Sequence, residues 1–242
     1  MYARRRRPTG APGFIRIDSV HQGDQDGIKG LYHINAVDCV TQWQVVATVQ
    51  TIAEAHLLPV IEQMLEQFPF VMLGFHADNG SEYVNYRVAR LLEKLRVEFT
   101  RSRPRHSNDN GLAETKNGAV IRKLFGYEHI PQHHAVRFNT FCREYLNPFL
   151  NFHRPCLFAT DVPDPKKPGR IKRIYQPKNV MTPLDKLASL PKAASFLREG
   201  VTFKDLHAFA RALTDVQAAE ELQEARQALF KRSRTRAAGT CQ

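Results

Sequence analysis

The first fifty residues have the pattern of β-strands. Residues 14–18 alternate apolar and polar side chains, which is typical of a strand with one buried face. Residues 21–29 are polar and contain glycine, as turns do. Residues 31–37 and 43–49 are two further runs of strand-forming residues, separated by a short polar link. These runs predict an antiparallel meander of three strands.

The pattern changes to a helical period in residues 51–68, where apolar side chains recur every three or four positions. Thr51 is expected to cap this helix, with Glu54 completing a capping box, and Pro69 is expected to end it. Residues 70–75 are almost wholly apolar, which favours a strand buried on both faces. A fourth strand is therefore predicted after the helix.

Helical and strand patterns then alternate. Residues 84–95 have a helical pattern, and residues 97–100 have the pattern of a last strand. Two more helical patterns follow, over residues 108–125 and 135–153. Three leading strands followed by this alternation predict an α/β fold, in which a mixed sheet has helices on both faces.

The chain divides by composition into four parts. Residues 1–13 are a basic leader that we expect to be flexible, and residues 14–155 form the core just described. Residues 156–184 are predicted to be a basic, proline-rich linker, because prolines and a glycine interrupt every periodic pattern there. Residues 185–242 are predicted to be a C-terminal helical segment with a basic tail. Its helical patterns lie at residues 192–198 and 203–232.

The charge of the chain indicates its class of partner. Thirty-five Lys and Arg residues oppose 24 Asp and Glu residues, which gives a net charge of +11. Basic residues also cluster, at residues 101–105, 166–173 and 231–236. A surplus of this size favours a polyanion such as nucleic acid. A basic protein that binds no polyanion is the alternative from composition alone.

Several protein classes are excluded or disfavoured. No apolar run reaches the roughly 18 residues that a membrane helix needs, and no apolar signal segment begins the chain. The four cysteines are scattered without a C-x-x-C pair, which favours reduced thiols in a soluble cytoplasmic protein. A zinc site is disfavoured because the cysteine spacing does not fit the common structural sites. Its ligands would be His129, His133, Cys142 and Cys156.

Three acidic residues lie at positions where they can meet. Asp18 ends the first strand pattern, Asp78 follows the buried strand, and Glu114 lies in the first turns of the 108–125 helix. Carboxylates brought together repel one another unless divalent cations bind between them, and oxygen ligands suit Mg²⁺ or Mn²⁺. Two such ions, about 3.5–4 Å apart, can activate a nucleophile and stabilise the leaving oxygen of a phosphodiester. We hypothesise a metal site formed by these acids, beside a basic surface that holds DNA.

Each acid taken alone has a simpler interpretation. Residues 78–80 (Asp-Asn-Gly) are a common turn sequence, and an aspartate at a strand end is often a helix cap or a surface residue. Asp24 and Asp26 fall in a polar turn, and Asp38 is expected to shape the link between the second and third strands. Only the combination of the three acids supports the metal site.

The spacing of the acids resembles a known family. Fifty-nine residues separate Asp18 from Asp78, and 35 separate Asp78 from Glu114. The second interval matches the DD-35-E pattern of retroviral integrases and of the related DDE transposases of bacterial insertion sequences. Two blocks resemble the same family, HADNGSEY at residues 76–83 and RPRHSNDNGLAE at residues 103–114. The resemblance covers about residues 14–155 of the chain.

The resemblance implies a ribonuclease H-like fold, with a five-stranded mixed sheet flanked by helices and here a small C-terminal helical appendage. It implies a metal-dependent polynucleotidyl transferase (a transposase or integrase) that cleaves DNA and joins a 3′ hydroxyl to target DNA. Asp18, Asp78 and Glu114 would be the catalytic residues, and they would also be the ligands of two Mg²⁺ (or Mn²⁺) ions.

Neighbouring residues are candidates for supporting roles. Asn79 and Glu82 are expected to support the metal ligands, although an exposed loop acid is an equal interpretation of Glu82. Basic residues near the third block are candidate DNA contacts, with a solvated basic loop as the alternative. These candidates are Arg101, Arg103, Arg105, His106, Lys116 and Arg122, with Asn117 beside them. Retroviral integrases have lysines where this chain has Gly118 and Ile121, so contacts from those two positions do not transfer.

The resemblance also implies partners and a location. Double-stranded DNA is the expected substrate, both as transposon ends and as target, with no membrane partner. A homo-oligomer or a separate end-binding transposase subunit is expected, because two ends must be joined and nothing before residue 14 can form a helix-turn-helix. The expected location is the bacterial cytoplasm, in association with the nucleoid. Two alternatives stay open: a truncated, non-catalytic DNA-binding or regulatory fragment, and a ribonuclease H-like nuclease that cuts RNA in hybrids.

Overall fold

A mixed sheet forms the centre of the computed structural model, which describes residues 10–77, 98–101, 111–165 and 169–237. The strands are β1 (Phe14–His21), β2 (Asp24–Gln25), β3 (Ile28–Lys29), β4 (Tyr32–Asp38), β5 (Gln44–Val49), β6 (Gly74–Ala77), β7 (Glu98–Arg101), β8 (Cys156–Pro163) and β9 (Ile171–Met181). The central sheet has the order β5-β4-β1-β6-β7. Strands β1, β4 and β5 are antiparallel, whereas β1, β6 and β7 are parallel. This confirms the predicted five-stranded mixed sheet of a ribonuclease H-like α/β fold.

Helices cover both faces of this sheet. The α-helices are α1 (Glu54–Leu65), α2 (Gly111–Lys116), α3 (Lys123–Phe125), α4 (Ala135–Phe141), α5 (Pro183–Ala188), α6 (Phe203–Ala210) and α7 (Asp215–Ala237). Wider π-helical turns occupy Asn117–Arg122, Cys142–Leu146 and Phe149–His153, and 3₁₀ turns occupy Gln132–His134 and Ala193–Phe196. No helix in the described ranges is long and apolar enough to cross a lipid bilayer.

Alternation along β1 places its apolar side chains in two separate cores. Ile15 and Ile17 are buried in a cluster that includes Ile61 of α1 and Leu187 of α5. Val20 belongs to a second cluster on the helical layer that follows Gly111, and Leu222 of α7 packs there as well. The C-terminal helices therefore contribute to both cores of the domain.

Strand β5 is an edge strand whose backbone is nevertheless covered. The backbone N–H groups of Gln44, Val46 and Thr48 donate to the side-chain Oδ1 atoms of three asparagines, at 2.8, 2.8 and 3.2 Å. These asparagines are Asn151, Asn147 and Asn139, respectively. An open edge is a template for pairing with another chain, and here helical side chains occupy its donors.

The start of α1 differs from the prediction. The helix begins at Glu54 with Ala53 at the cap position, and no side chain caps it. Thr51 instead lies 2.9 Å from Nδ1 of His56 and accepts a 3.3 Å hydrogen bond from the Ala53 N–H. The predicted capping box is wrong because the helix starts two residues later than that motif requires.

The fourth strand also differs, since β6 begins at Gly74 and not at residue 70. The apolar residues before it bond with the C-terminal half of the chain. The Val71 N–H donates to the Phe196 carbonyl at 2.9 Å, and Phe70 forms an isolated bridge with Leu197. Residues at the start of the predicted strand therefore pair with a segment that is far away in the sequence, and not with the central sheet.

The predicted linker at residues 156–184 contains ordered elements. Strands β8 and β9 pair antiparallel in a two-stranded hairpin, and α5 follows at once. The predicted helix at 203–232 is divided into α6 and α7. The helix predicted at residues 84–95 lies outside the described residues.

Candidate active site

Asp18 lies on β1 opposite Asn35 of β4, and its side chain is half-buried. Its Oδ1 atom accepts a 2.9 Å hydrogen bond from the backbone N–H of Ser19. Its Oδ2 atom accepts a 2.7 Å hydrogen bond from Nδ2 of Asn117. Both donors are uncharged, so these two bonds orient the carboxylate without neutralising it.

Asp78 lies outside the described residues, but the strand before it is described. Strand β6 ends at Ala77, and Ala77 pairs in parallel with Ile17 of β1. The two neighbouring strands therefore run in the same direction, and Asp78 and Asp18 are the residues that follow this pair in the sequence. The predicted adjacency of the first and fourth strands is confirmed.

Glu114 lies in the first turn of α2 with an exposed side chain. Two contacts hold this helix against the sheet. Asn117, three residues after Glu114, bonds Asp18, and the Ala113 carbonyl accepts a 3.1 Å hydrogen bond from Nδ2 of Asn35. Residues three apart in a helix share a face, so Glu114 is on the side of α2 that carries the contact with β1.

A chain of amides supports the Asp18 contact from inside the sheet. Oδ1 of Asn117 accepts a 2.7 Å hydrogen bond from Nδ2 of Asn35, and Oδ1 of Asn35 accepts one of 2.9 Å from Nε2 of Gln44. Asn35 and Gln44 are buried, with 0% and 1% of their surface exposed. Sequence reasoning missed both residues and gave Asn117 a DNA contact. Both could have been found from the sequence, because an amide side chain within a run predicted to be a buried strand needs a hydrogen-bond partner.

Lys116 and Arg122 occupy different surroundings from those expected of DNA contacts. Lys116 is 9% exposed, and its Nζ atom lies 3.2 Å from Sγ of Cys156. Arg122 donates to the His21 carbonyl at 2.9 Å, and its guanidinium lies 4.8 Å from the ring centre of Tyr127. Both side chains make contacts within the protein, because the helical segment that carries them is packed on the sheet.

The other candidate residues are not described at side-chain level. Arg101 is the last residue of β7, which is described by its backbone. Five candidates lie outside the described residues: Asn79, Glu82, Arg103, Arg105 and His106. Within the described ranges, no group of three or more His, Cys, Asp or Glu side chains could hold a metal ion, and Asp78 is not among the residues searched.

Two buried titratable groups near the site have structural roles. Asp38 accepts hydrogen bonds from the backbone N–H groups of Gly13, Val40 and Thr41, and burial raises the pKa of its carboxyl. It shapes the turn between β4 and β5, as expected from the sequence. Burial, together with the nearby positive charge of Arg122, lowers the pKa of His33 to about 3. His33 is therefore a neutral core residue.

The comparison with protein families matches a part of the chain that includes Asp18 and Asp78. Residues 8–107 match the family model of the integrase core domain. The match supports a domain of the transposase and integrase class. It ends before Glu114, so the third acid of the candidate site lies beyond the matched segment.

Individual relatives have more limited overlap. An uncharacterized protein, y4rM, of Sinorhizobium fredii (strain NBRC 101917 / NGR234) is 32% identical over 117 residues, which are 48% of this chain and 33% of that protein. The chain thus spans about a third of that relative's length. The crystal structure of the catalytic core domain of BIV integrase has a TM-score of 0.39 at 17% identity, with 48% of this chain and 70% of that chain covered. A simian T-cell lymphotropic virus intasome, solved in complex with the PP2A regulatory subunit B56 gamma, has a TM-score of 0.39 at 19% identity, with coverage of 50% and 43%.

Proposed function

We propose that this chain carries the catalytic domain of a DDE-type transposase, which cleaves DNA and transfers a 3′ hydroxyl strand end to target DNA. The proposed catalytic core is residues 14–155, and its catalytic residues are Asp18, Asp78 and Glu114. The integrase core match supports the class of protein. The proposed chemistry is supported by the arrangement of β1, of β6, which precedes Asp78, and of the helix that bears Glu114.

The observation that carries the proposal is the contact between Asn117 and Asp18. It joins the helix that bears Glu114 to the strand that bears Asp18, across 99 positions of sequence. Strand β6, which leads into Asp78, is paired with that same strand. These contacts support the proposal that the segments bearing the three acids lie close to one another.

The residues present suit divalent cations. Carboxylate oxygens are the ligands that Mg²⁺ and Mn²⁺ prefer, and Asp18 is oriented by two uncharged donors. Asp18, Asp78 and Glu114 would hold two such ions, which supply an activated nucleophile and a stabilised leaving oxygen. Asn117 fixes the orientation of the Asp18 carboxylate, and the buried Asn35 fixes the orientation of Asn117.

Double-stranded DNA is the proposed substrate, because the net charge of +11 favours a polyanion. A homo-oligomer or a separate end-binding subunit is proposed as well, since joining two transposon ends requires two reaction centres or a protein that holds both ends. The bacterial cytoplasm, at the nucleoid, is the proposed location of this activity.

A nicking and strand-transfer assay on supercoiled plasmid tests the function. The chain is compared with Asp18→Asn, Asp78→Asn and Glu114→Gln in Mg²⁺, in Mn²⁺ and in EDTA. Asp26→Asn and Glu199→Gln are the matched controls, because they make the same chemical changes on exposed residues. Asp26 has a positive φ of 52°, which asparagine tolerates.

Products that require the metal, disappear in the three site variants and persist in both controls would support the proposal. DNA binding by the native chain without products in either metal would contradict it and favour the non-catalytic binding protein. Preferential cleavage of RNA in an RNA–DNA hybrid would favour the ribonuclease H-like nuclease.

A further inference from the structure

The hairpin of β8 and β9 is an exposed two-stranded ribbon. Apolar side chains along it remain in contact with solvent, since Leu157, Ile171, Tyr175 and Val180 are between 45% and 57% exposed. In its outer part, the strands are paired from Ala159 opposite Tyr175 to Pro163 opposite Ile171. A two-stranded ribbon has little core of its own, so its position depends on how its base is held.

The base of the hairpin is attached beside the candidate catalytic helix. Cys156, the first residue of β8, is buried, with its Sγ atom 3.2 Å from Nζ of Lys116. Lys116 is two residues after Glu114 in the sequence. Phe158 is also buried, and the ammonium of Lys186 lies 5.3 Å from its ring centre. The ribbon therefore begins at a fixed point on the helix that bears Glu114.

The second strand of the ribbon and the residues that lead into it carry exposed positive charge. Arg170, Lys172 and Lys178 lie along β9 and its entry, and all three are exposed. Among the described residues, no carboxylate forms an ion pair with any of them. Asp161, on the facing strand, pairs instead with Arg173, 3.6 Å from Oδ1 to Nε.

We propose that the β8–β9 hairpin is a DNA-binding arm whose Arg170, Lys172 and Lys178 contact the phosphate backbone of a duplex. The inference rests on the proposed function, because the base of the arm contacts Lys116 of the helix that bears Glu114. Eight residues of strand at about 3.3 Å each span up to roughly 25 Å. A duplex presents a negative charge about every 1.7 Å along its axis, so many phosphates are available to three cations spread over that length.

A binding assay in EDTA tests the arm separately from catalysis. Fluorescence polarisation of a labelled duplex of mixed sequence is measured over about 50–200 mM salt. The full chain is compared with the triple variant Arg170→Gln, Lys172→Gln and Lys178→Gln. The matched control removes three exposed charges from another surface. It is the triple variant Arg198→Gln, Lys204→Gln and Arg211→Gln.

The arm variant should bind about tenfold more weakly at physiological salt, and the slope of log affinity against log salt should fall by about 2–3. The control variant should lose much less DNA affinity, and its salt slope should fall much less. If the triple variant does not fold, the single variant Lys172→Gln should lower the slope by about 0.9.

Equal losses in the arm variant and the control would overturn the proposal, because net charge alone would then explain them. An arm variant that binds like the native chain would also overturn it. So would a change in oligomeric state on sedimentation without a change in DNA affinity, because the ribbon would then serve a second copy. A further outcome is a plasmid assay that gives no products while the arm variant, but not the control variant, loses DNA affinity. That result would contradict the proposed chemistry and support DNA binding by the arm.

Discussion

Asn117 is hydrogen-bonded to Asp18 at one end of its amide and to Asn35 at the other, with both distances 2.7 Å. The amide nitrogen donates to the carboxylate, and the amide oxygen accepts from the buried asparagine. Because both ends are used, the amide has one satisfactory orientation. The hydrogen bonds from Asn117 and from the Ser19 backbone that orient the Asp18 carboxylate therefore both come from uncharged groups.

Replacing this amide should slow the reaction without releasing the DNA. We expect Asn117→Ala to lower the rate of metal-dependent nicking by about 10–100-fold, since groups that orient metal ligands commonly have effects of that size. Thr115→Ala on the same helix is the control, because the Thr115 hydroxyl contacts only the Gly111 carbonyl among the described residues. Single-turnover nicking and DNA affinity are measured for both variants. A fully active Asn117→Ala variant would show that the contact has no part in the chemistry.

Lys116 should make no contribution to DNA affinity. Its ammonium is buried against Cys156, so Lys116→Met keeps most of the side-chain volume and removes a charge that faces the interior. We expect the dissociation constant for duplex DNA to change by less than about twofold, as for a substitution away from an interface, and the salt slope to stay the same. A slope reduced by about one would instead assign a phosphate contact to this lysine.

The asparagines that cover β5 should matter for stability more than for activity. Asn147 accepts from the Val46 N–H and donates to the Val46 carbonyl, at 2.8 and 3.0 Å. Asn147→Ala leaves two buried backbone groups without partners, which costs about 1–3 kcal/mol each. Urea unfolding should therefore show a lower midpoint, whereas Asn179→Ala, which removes only a solvent-exposed hydrogen bond to Thr160, should lower it much less. An unchanged midpoint in Asn147→Ala would mean that water replaces both bonds.

Acid should destabilise the protein partly through His33. Its pKa is about 3 in the folded protein, against 6.5 for an unperturbed histidine, so the unfolded chain takes up a proton at a pH where the folded chain does not. The contribution to stability is complete above pH 6.5 and is lost as the pH falls toward 3, at up to about 1.4 kcal/mol per pH unit. His33→Gln should flatten this dependence in unfolding experiments between those two pH values. The exposed variant His56→Gln should leave the slope as it is, and equal slopes for the native chain and His33→Gln would rule out this origin.

The order and type of the main elements of the central sheet could be predicted from the sequence, because the periodicity of apolar residues is visible among near neighbours in the chain. It placed β1, β4 and β5 and indicated that the first and fourth strands are neighbours, so that the strand that precedes Asp78 lies beside the strand that bears Asp18. It did not reveal that Asn117 binds Asp18, because that contact depends on which face of a helix meets the sheet. Lys116 was predicted to contact DNA for the same reason, because its contact with Cys156 joins residues forty positions apart.

The hairpin at residues 156–181 was missed because two-stranded ribbons bury little and so leave a weak pattern. Prolines there favoured a linker, but Pro163 ends β8 and Pro177 lies in the irregular part of the pairing, where a missing N–H is tolerated. Composition alone does not distinguish an extended arm from an extended linker.

The three helical asparagines that bond to β5 also fix how the helical layer is aligned along the sheet. Their partners are two residues apart on the strand, at Gln44, Val46 and Thr48, and each bond needs one particular amide opposite it. Sliding the helices by a single residue would break all three bonds together, so intermediate alignments have no stable arrangement. The three bonds thus fix the position of the helices that follow Gly111 along the strands. Because Asn117 lies in the same helical layer, they also help to fix its position relative to Asp18.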